Sequence, residues 1–299
     1  KSHLIRMYAS FGNILEANRI FDNSSEHSVF TWSAIIGANV RFGYHSKAID
    51  LYHRAHQSGI DPDGHVFVAV LKACGSGDFL QQGEVIHNDI LESNFDSVLH
   101  VANAVMDMYF KCKRIVDGLH VFDRLWNKDI VTWNTVLSAY VHNNSCEEAL
   151  DLFQCMQDEG MKPNIVSWNT IISGYAQEGK MHEVLRFFGE MKKEGIEPNT
   201  VTWNALIVGY AERGLCEDAL NVYQKMQEQG KSPDCVTFLC ILRSFCKRQT
   251  LEEEVQVEAL SIVESSSASE NLNKSSFITI AKEVFDRLQK RPVEAWNAM

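Results

Sequence analysis

The chain has 299 residues, of which 45% are hydrophobic and 22% charged, values that exclude a disordered or collagen-like protein. No apolar run approaches the 18 residues of a membrane-spanning helix. The 28 basic and 39 acidic residues give a net charge of −11. This charge excludes a protein that binds phosphates through a generally basic surface. Any recognition of nucleic acid would therefore depend on local geometry.

Self-similarity with a period of about 35 residues organises the chain. Three consecutive 35-residue segments align without a gap, beginning at Ile130, Ile165 and Thr200. Each has Trp-Asn near its start, a Tyr near the end of the first apolar pattern, and Gly-x-x-Pro near its close. Apolar residues recur at helical spacing, stop at a polar break and resume. Each segment is therefore predicted to be a helical hairpin, with its Trp in the core.

The same phase extends along the chain in both directions. A lone hairpin cannot bury its apolar face, so the hairpins are predicted to stack into an all-α solenoid. A serine-rich flexible insert is predicted at 261–276. Because the chain starts at Lys1 and ends inside the start of a unit, we expect a fragment of a longer protein. The predicted units are 1–28 (partial), 29–63, 64–98, 99–129, 130–164, 165–199, 200–234, 235–260 (degenerate) and 277–299 (fragments).

These features resemble the pentatricopeptide repeat (PPR) family of plant organelles. The resemblance rests on V-T-W-N at the start of the first helix, G-Y near its end, E-E-A-L-D-L-F in the second helix, and a closing G-x-x-P-[N/D]. It implies a right-handed superhelical α-solenoid. The W-x₂-L-G-x₂-Y pattern of tetratricopeptide repeats is absent.

The mixture of 35- and 31-residue units resembles the PLS subclass of this family. On that basis 1–28 and 99–129 would be S-type units and 64–98 an L-type unit. The segment 235–260 would be a degenerate L-like unit. The P-type units would be 29–63, 130–164, 165–199 and 200–234.

Two positions of each unit carry polar residues that packing does not require. Asparagine is unfavourable inside a helix, so its recurrence after the Trp position suggests a capping role or a ligand. The residue that closes a unit could instead cap the next helix. The first position holds Ser33, Asn103, Asn134, Asn169 and Asn204, and the closing position holds Asp63, Asp129, Asn164, Asn199 and Asp234.

The resemblance implies that these two positions together read one RNA base per unit. An amide suits this task because it both donates and accepts hydrogen bonds. Val68 with Val98 would read no base. The implied 5′ to 3′ register is therefore G-x-U-C/U-C/U-U. The implied preferences are guanine for Ser33 with Asp63, uracil for Asn103 with Asp129 and for Asn204 with Asp234, and cytosine over uracil for Asn134 with Asn164 and Asn169 with Asn199.

The resemblance also places a small apolar residue two positions before the Trp, where it would wedge a base between units. The alternative is that these residues only begin the packing of each helix. The position is occupied by Val131, Val166, Val201 and Val236.

The implied function is sequence-specific binding of single-stranded RNA in organellar RNA processing, by editing, splicing or stabilisation. The implied location is the mitochondrion or chloroplast, with editing or processing proteins as further partners and no membrane. The alternative, favoured by the acidic charge, is a solenoid that binds a peptide in its groove. Lys180, Arg213 and Lys247 lie near predicted turns and would offset the acidic charge locally, or they are solvated surface charges.

No enzyme or cofactor is expected. The chain has no H-E-x-x-H, P-loop or G-x-G-x-x-G motif, and it lacks the H-x-E and C-x-x-C signature of zinc deaminases, which some PLS proteins carry. Its eight cysteines form no C-x-x-C pair, which favours reduced structural thiols over a zinc site.

Overall fold

The computed structural model describes residues 2–24 and 27–247, and this part of the chain contains fifteen α-helices and no strand. The predicted all-α fold class is therefore confirmed. The predicted insert at 261–276 and the fragments at 277–299 lie outside the described residues. The helices are α1 Ser2–Ser10, α2 Ile14–Asp22, α3 Val29–Arg41, α4 His45–Gln57, α5 Gly64–Gly77, α6 Leu80–Glu92, α7 Leu99–Lys111, α8 Ile115–Arg124, α9 Ile130–His142, α10 Cys146–Asp158, α11 Ile165–Gln177, α12 Met181–Lys193, α13 Thr200–Glu212, α14 Cys216–Glu228 and α15 Cys235–Lys247.

The helices are arranged as consecutive hairpins whose first helices begin at residues 29, 64, 99, 130, 165, 200 and 235. These are the first residues of the predicted units, whose classification as P, L or S type stays a prediction. The chain divides into two compact units, Lys1–Ala139 and Tyr140–Met299. In the first unit α1, α3, α5 and α7 pack in succession, and in the second unit α11, α13 and α15 do the same. Equivalent positions of the first helices therefore recur from hairpin to hairpin within each unit.

The Asn or Asp that closes a predicted unit caps the next helix. Asn164 and Asn199 have extended backbones and form capping boxes at the starts of α11 and α13. Asp63 accepts a hydrogen bond from the backbone N–H of Val66 at 2.9 Å. Each such cap contributes about 1 kcal/mol to helix stability. The capping role suggested for these residues is confirmed.

Neighbouring hairpins are joined by a recurring aromatic pair. A Phe on the second helix of one hairpin meets the Trp of the next first helix edge to face, and each Trp is almost completely buried. Such pairs contribute about 0.5–1.5 kcal/mol beyond the burial of their area. The predicted core role of the Trp residues is confirmed. The ring centroids are 4.6 Å apart in Phe21–Trp32, 5.1 Å in Phe122–Trp133, 4.9 Å in Phe153–Trp168 and 5.2 Å in Phe188–Trp203.

The Gly of the G-Y signature permits close packing of successive first helices. A Cβ built on Gly209 would overlap the sulfur of Met181 and would lie 3.4 Å from the Cα of Ala176 on the preceding first helix. A Cβ on Gly174 would lie 2.9 Å from the side chain of Val141. The small residue therefore sets the spacing at which first helices, and the polar side chains they carry, follow one another.

Candidate RNA interface

The structure brings together two of the predicted base-reading pairs by direct hydrogen bonds. Each Asn is the fifth residue of a first helix, and its partner is the N-cap of the next first helix. The Nδ2 of Asn169 donates to Oδ1 of Asn199 at 3.2 Å. The Nδ2 of Asn204 donates to Oδ1 of Asp234 at 2.9 Å. Residues 30 positions apart in sequence thus form one polar unit at each junction between hairpins.

Asn103 and Asp129 form a third pair, in the first unit. Burial alone would raise the pKa of Asp129, but hydrogen bonds from the backbone and hydroxyl of Thr132 and from the Asn103 side chain outweigh it and hold the pKa below its ordinary value. The carboxylate is therefore stabilised in its charged, hydrogen-bond-accepting form.

Ser33 and Asp63 are not joined by a hydrogen bond. The Asp63 carboxylate caps α5, and the hydroxyl of Ser33 makes no bond to it, because a serine side chain is shorter than that of asparagine. Val68 and Val98 bring no polar side-chain group to the next junction, as the sequence indicates.

Asn134 and Asn164 lie in different compact units, so each is described separately. Asn134 is buried in α9. Asn164 accepts hydrogen bonds from the backbone N–H groups of Val166 and Ser167 at 2.9 and 3.1 Å. Their action as one base-reading pair stays a prediction.

The amide side chains of these pairs are almost completely buried, which the sequence does not indicate. Only 8% of Asn169, 6% of Asn204 and 9% of Asn103 remains exposed, because the N-terminal turn of the following first helix packs over them. An amide has two N–H donors and two acceptor lone pairs. The Asp234 carboxylate and the Thr237 hydroxyl engage one donor and one lone pair of Asn204. One donor and one acceptor therefore remain for a ligand, which matches the mixed donor and acceptor edge of a base.

Buried hydroxyl groups at the third position of several first helices are absent from the sequence prediction. The hydroxyls belong to the third residues of α9, α11, α13 and α15, and all four residues are completely buried. The sequence signal is a Thr or Ser directly before Trp-Asn, or before Phe238 in α15, which is typical of a capping box. The four residues are Thr132, Ser167, Thr202 and Thr237.

The four valines predicted to wedge bases are each about half exposed, from 49% for Val236 to 54% for Val131. Packing at the helix start therefore leaves much of each side chain uncovered. In α3, α5 and α7 the same position holds Phe30, His65 and His100, all exposed. The imidazole centroids of His65 and His100 are 6.0 Å apart with a 33° angle between the rings. These three residues are absent from the sequence prediction, although the repeat phase marks their position.

The basic residues near the turns are expected either to offset the acidic charge locally or to be solvated surface charges. Hydrogen bonds to Glu178 and Glu147, with N–O distances of 2.9 and 3.0 Å, raise the pKa of Lys180. The Lys180 side chain is 44% exposed, so it is a surface charge that offsets the carboxylates of Glu178 and Glu147. Arg213 is exposed, and the side chain of Lys247 lies outside the described residues.

Within residues 2–24 and 27–247, no cluster of three His, Cys, Asp or Glu side chains has a geometry suited to a metal ion. The free thiols among the described side chains are those of Cys74, Cys112, Cys146, Cys155, Cys216, Cys235 and Cys240. None of its helices has the length and apolar character needed to cross a membrane.

Family models match the chain over much of the described region. A model described as PPR repeat matches residues 30–60, one described as PPR repeat family matches 128–166 and 198–247, and one described as pentatricopeptide repeat domain matches 151–213. Together these matches cover about half of the 299 residues. The chain belongs to the pentatricopeptide repeat family.

Curated PPR proteins of Arabidopsis thaliana are similar to part of the chain. One, named as chloroplastic, is 39% identical over 165 residues, which are 54% of this chain and 31% of the relative. A second, also named as chloroplastic, is 33% identical over 161 residues, or 54% of this chain and 19% of the relative. The chain thus spans less than a third of the length of these two relatives.

Solved PPR structures share the fold. The crystal structure of PPR10 in complex with an 18-nt psaJ RNA element matches with a TM-score of 0.68 at 20% identity, covering 99% of this chain and 45% of that chain. PPR10 from maize matches with a TM-score of 0.63 at 18% identity, covering 99% and 50%. These likenesses confirm the α-solenoid fold class for this PPR chain, and its assignment to the PLS subclass stays a prediction.

Proposed function

We propose that this PPR chain binds single-stranded RNA in a sequence-specific manner and reads one nucleotide per hairpin. The observation that carries the proposal is the repeated pair of a first-helix Asn and the next N-cap, joined by hydrogen bonds in Asn169–Asn199 and Asn204–Asp234. A cap alone needs no partner on the preceding hairpin. The recurrence of this bond at successive junctions, each with spare donor and acceptor capacity, suits a strand of evenly spaced bases.

The half-exposed residue at the second position of each first helix would support the face of a base. Aromatic stacking contributes about 1–3 kcal/mol per base, and valine contributes less. Val166 and Val201 would therefore mainly exclude water and align the base edge with the amide. Phe30, His65 and His100 would stack more strongly, so the first unit would contribute more affinity per base than the second.

The acidic surface shapes the expected binding energetics. With a net charge of −11 and Lys180 engaged by carboxylates, few phosphates are neutralised on binding. The affinity should therefore fall only shallowly with salt, since each neutralised phosphate of a single strand contributes a slope of about −0.7. Base contacts would account for most of the affinity.

The biological setting is proposed from the relatives, two of which are named as chloroplastic. We place the chain in an organelle, with the chloroplast favoured over the mitochondrion. It would act there by positioning RNA for editing, splicing or stabilisation, together with editing or processing proteins, and without bond chemistry of its own. The one observation that favours a peptide-binding solenoid instead is the net negative charge.

The proposal is tested by fluorescence anisotropy with the full chain and short RNAs. An RNA with the core 5′-GAUCCU-3′ follows the predicted register, and 5′-GAUGGU-3′ replaces its central pyrimidines by purines. We expect the second RNA to bind at least about tenfold more weakly, since a mismatched base typically costs about 1–3 kcal/mol. Equal affinities would reject the base assignment. Absence of RNA binding would reject the function and favour the peptide-binding alternative.

A further inference from the structure

We propose that the buried hydroxyl at the third position of a first helix orients the base-reading amide of the preceding hairpin. Thr202 would act on Asn169 and Thr237 on Asn204. Both would be positioning residues for specificity, because they act through the amide and do not touch the base. This inference rests on the proposed function, since it concerns how the same site discriminates between bases.

The geometry is the same at both junctions. The hydroxyl of Thr202 donates to Oδ1 of Asn169 at 2.6 Å. The hydroxyl of Thr237 donates to Oδ1 of Asn204 at 2.6 Å. These distances are at the short end for hydrogen bonds between oxygens. Both threonines are completely buried, so water does not compete for the bond.

Each hydroxyl has one proton and a second possible acceptor. Thr202 lies 3.1 Å from Oδ1 of Asn199, and Thr237 lies 3.0 Å from Oδ1 of Asp234, both longer than the bond to the amide. The hydroxyl oxygen also accepts the backbone N–H of the same cap residue, at 3.1 Å for Asn199 and 3.0 Å for Asp234. The backbone N–H of the cap residue thus donates to the threonine oxygen, and the hydroxyl proton of the threonine is donated to the reading amide.

The result is an amide held from both ends. In Asn204, the threonine engages Oδ1 and the Asp234 carboxylate engages Nδ2. A flipped amide would place Oδ1 against the carboxylate, where two acceptors repel each other. The remaining N–H and lone pair therefore have defined positions, and a base meets a fixed pattern of donor and acceptor.

Asn103 provides a contrast within the same chain. The hydroxyl of Thr132 donates to Oδ1 of Asp129 at 2.8 Å, and Oδ1 of the buried Asn103 makes no hydrogen bond. The amide of Asn103 is held at one end only. We therefore expect weaker discrimination at the third nucleotide than at the sixth, although Asn103 with Asp129 and Asn204 with Asp234 are the same residue types.

The test compares Thr202→Val with Thr202→Ser in the full chain. Valine keeps the shape of threonine and removes the hydroxyl, whereas serine keeps the hydroxyl. Dissociation constants are measured for RNAs that carry cytosine or guanine at the fifth nucleotide, and uracil or guanine at the sixth. In Thr202→Val we expect the pyrimidine preference at the fifth nucleotide to fall about three- to tenfold, as expected for one lost hydrogen bond. The preference at the sixth nucleotide should be unchanged. Thr202→Ser should show the wild-type preference at the fifth nucleotide.

The control is Thr31→Val, which alters the third residue of α3. The Thr31 hydroxyl bonds to the side chain of Ser28 at 2.9 Å and reaches no reading Asn, so this variant reproduces the effect on the helix start alone. It should leave the fifth and sixth preferences unchanged. If Thr202→Val does not fold, Thr237→Val provides an independent test. In that variant the base preference should fall at the sixth nucleotide.

Two results would overturn the inference: an unchanged preference at the fifth nucleotide in a folded Thr202→Val protein, or an equal loss at the fifth and sixth. A wild-type chain that shows no base preference would instead overturn the proposed function.

Discussion

Replacing Asn169 by Ser together with Asn199 by Asp is expected to move the preferred fifth nucleotide from a pyrimidine to guanine. The double variant reproduces the pair Ser33 and Asp63, in which the serine does not bond to the carboxylate. A shorter side chain leaves room for a purine. The released carboxylate then accepts from the N–H donors on the Watson–Crick edge of guanine, whereas an amide supplies both donor and acceptor.

The size of this change follows from the number of hydrogen bonds involved. A good bidentate contact discriminates between bases by about 1–3 kcal/mol, so the ratio of cytosine to guanine affinity should change by at least about tenfold. The measurement is the dissociation constant for two RNAs that differ only at the fifth nucleotide. The matched control, Asn127→Ser with Asn94→Asp, makes the same chemical changes at exposed positions outside the pairs. An unchanged pyrimidine preference in the double variant would show that the pair does not read a base.

Trp203→Ala is expected to destabilise the second unit by about 3–5 kcal/mol. The indole is 3% exposed, and its ring lies 5.2 Å from that of Phe188 on the preceding hairpin. Removal of the ring would lose this edge-to-face contact and leave a cavity at the junction of two hairpins. Since repeat proteins are stabilised by contacts between neighbours, α13 and its neighbours should open first.

The matched control for this prediction is Trp126→Ala, because Trp126 is fully exposed. Its loss should change the free energy of unfolding by less than about 0.5 kcal/mol. Urea denaturation measures the two free energies, and hydrogen exchange locates the loss of protection. If Trp203→Ala cost no more than Trp126→Ala, the aromatic pairs would not be what holds successive hairpins together.

The repeat phase made the hairpins predictable from sequence. A pattern that recurs many times averages out local ambiguity, so residues such as Ile165 and Thr200 could be assigned as helix starts directly. The buried Trp residues and the polar caps followed from the same phase. These features depend on neighbours in sequence, which is why composition and spacing were sufficient.

Contacts between hairpins were less accessible to prediction. The ion pair of Lys180 with Glu147 joins residues 33 positions apart, and no local sequence pattern indicates it. Asn18 and Asn39 exchange reciprocal amide hydrogen bonds at 3.1 and 2.9 Å in the buried core, which no local pattern indicates. Such pairs depend on how one hairpin is set against the next.

In the candidate site, too, the sequence indicates which residues are equivalent but not the contacts they make between hairpins. The sequence identifies Asn103, Asn169 and Asn204 as equivalent, yet the structure distinguishes amides held at both ends from one held at a single end. The difference arises from the direction in which a threonine of the next hairpin points its proton. A Thr before Trp-Asn indicates a helix cap in either case. The sequence therefore does not distinguish an amide bonded at both ends from one bonded at a single end.

Recognition of one nucleotide by each hairpin can be measured with a single-nucleotide substitution scan. Each position of 5′-GAUCCU-3′ is changed in turn to the other three bases, and the dissociation constant is measured with the full chain. At the second nucleotide, where Val68 and Val98 offer no polar side chain, all four bases should bind within about twofold of one another. At the sixth nucleotide, read by Asn204 with Asp234, uracil should be preferred by about tenfold or more. Equal penalties at the second and sixth nucleotides, or none at any position, would show that the hairpins do not read separate nucleotides.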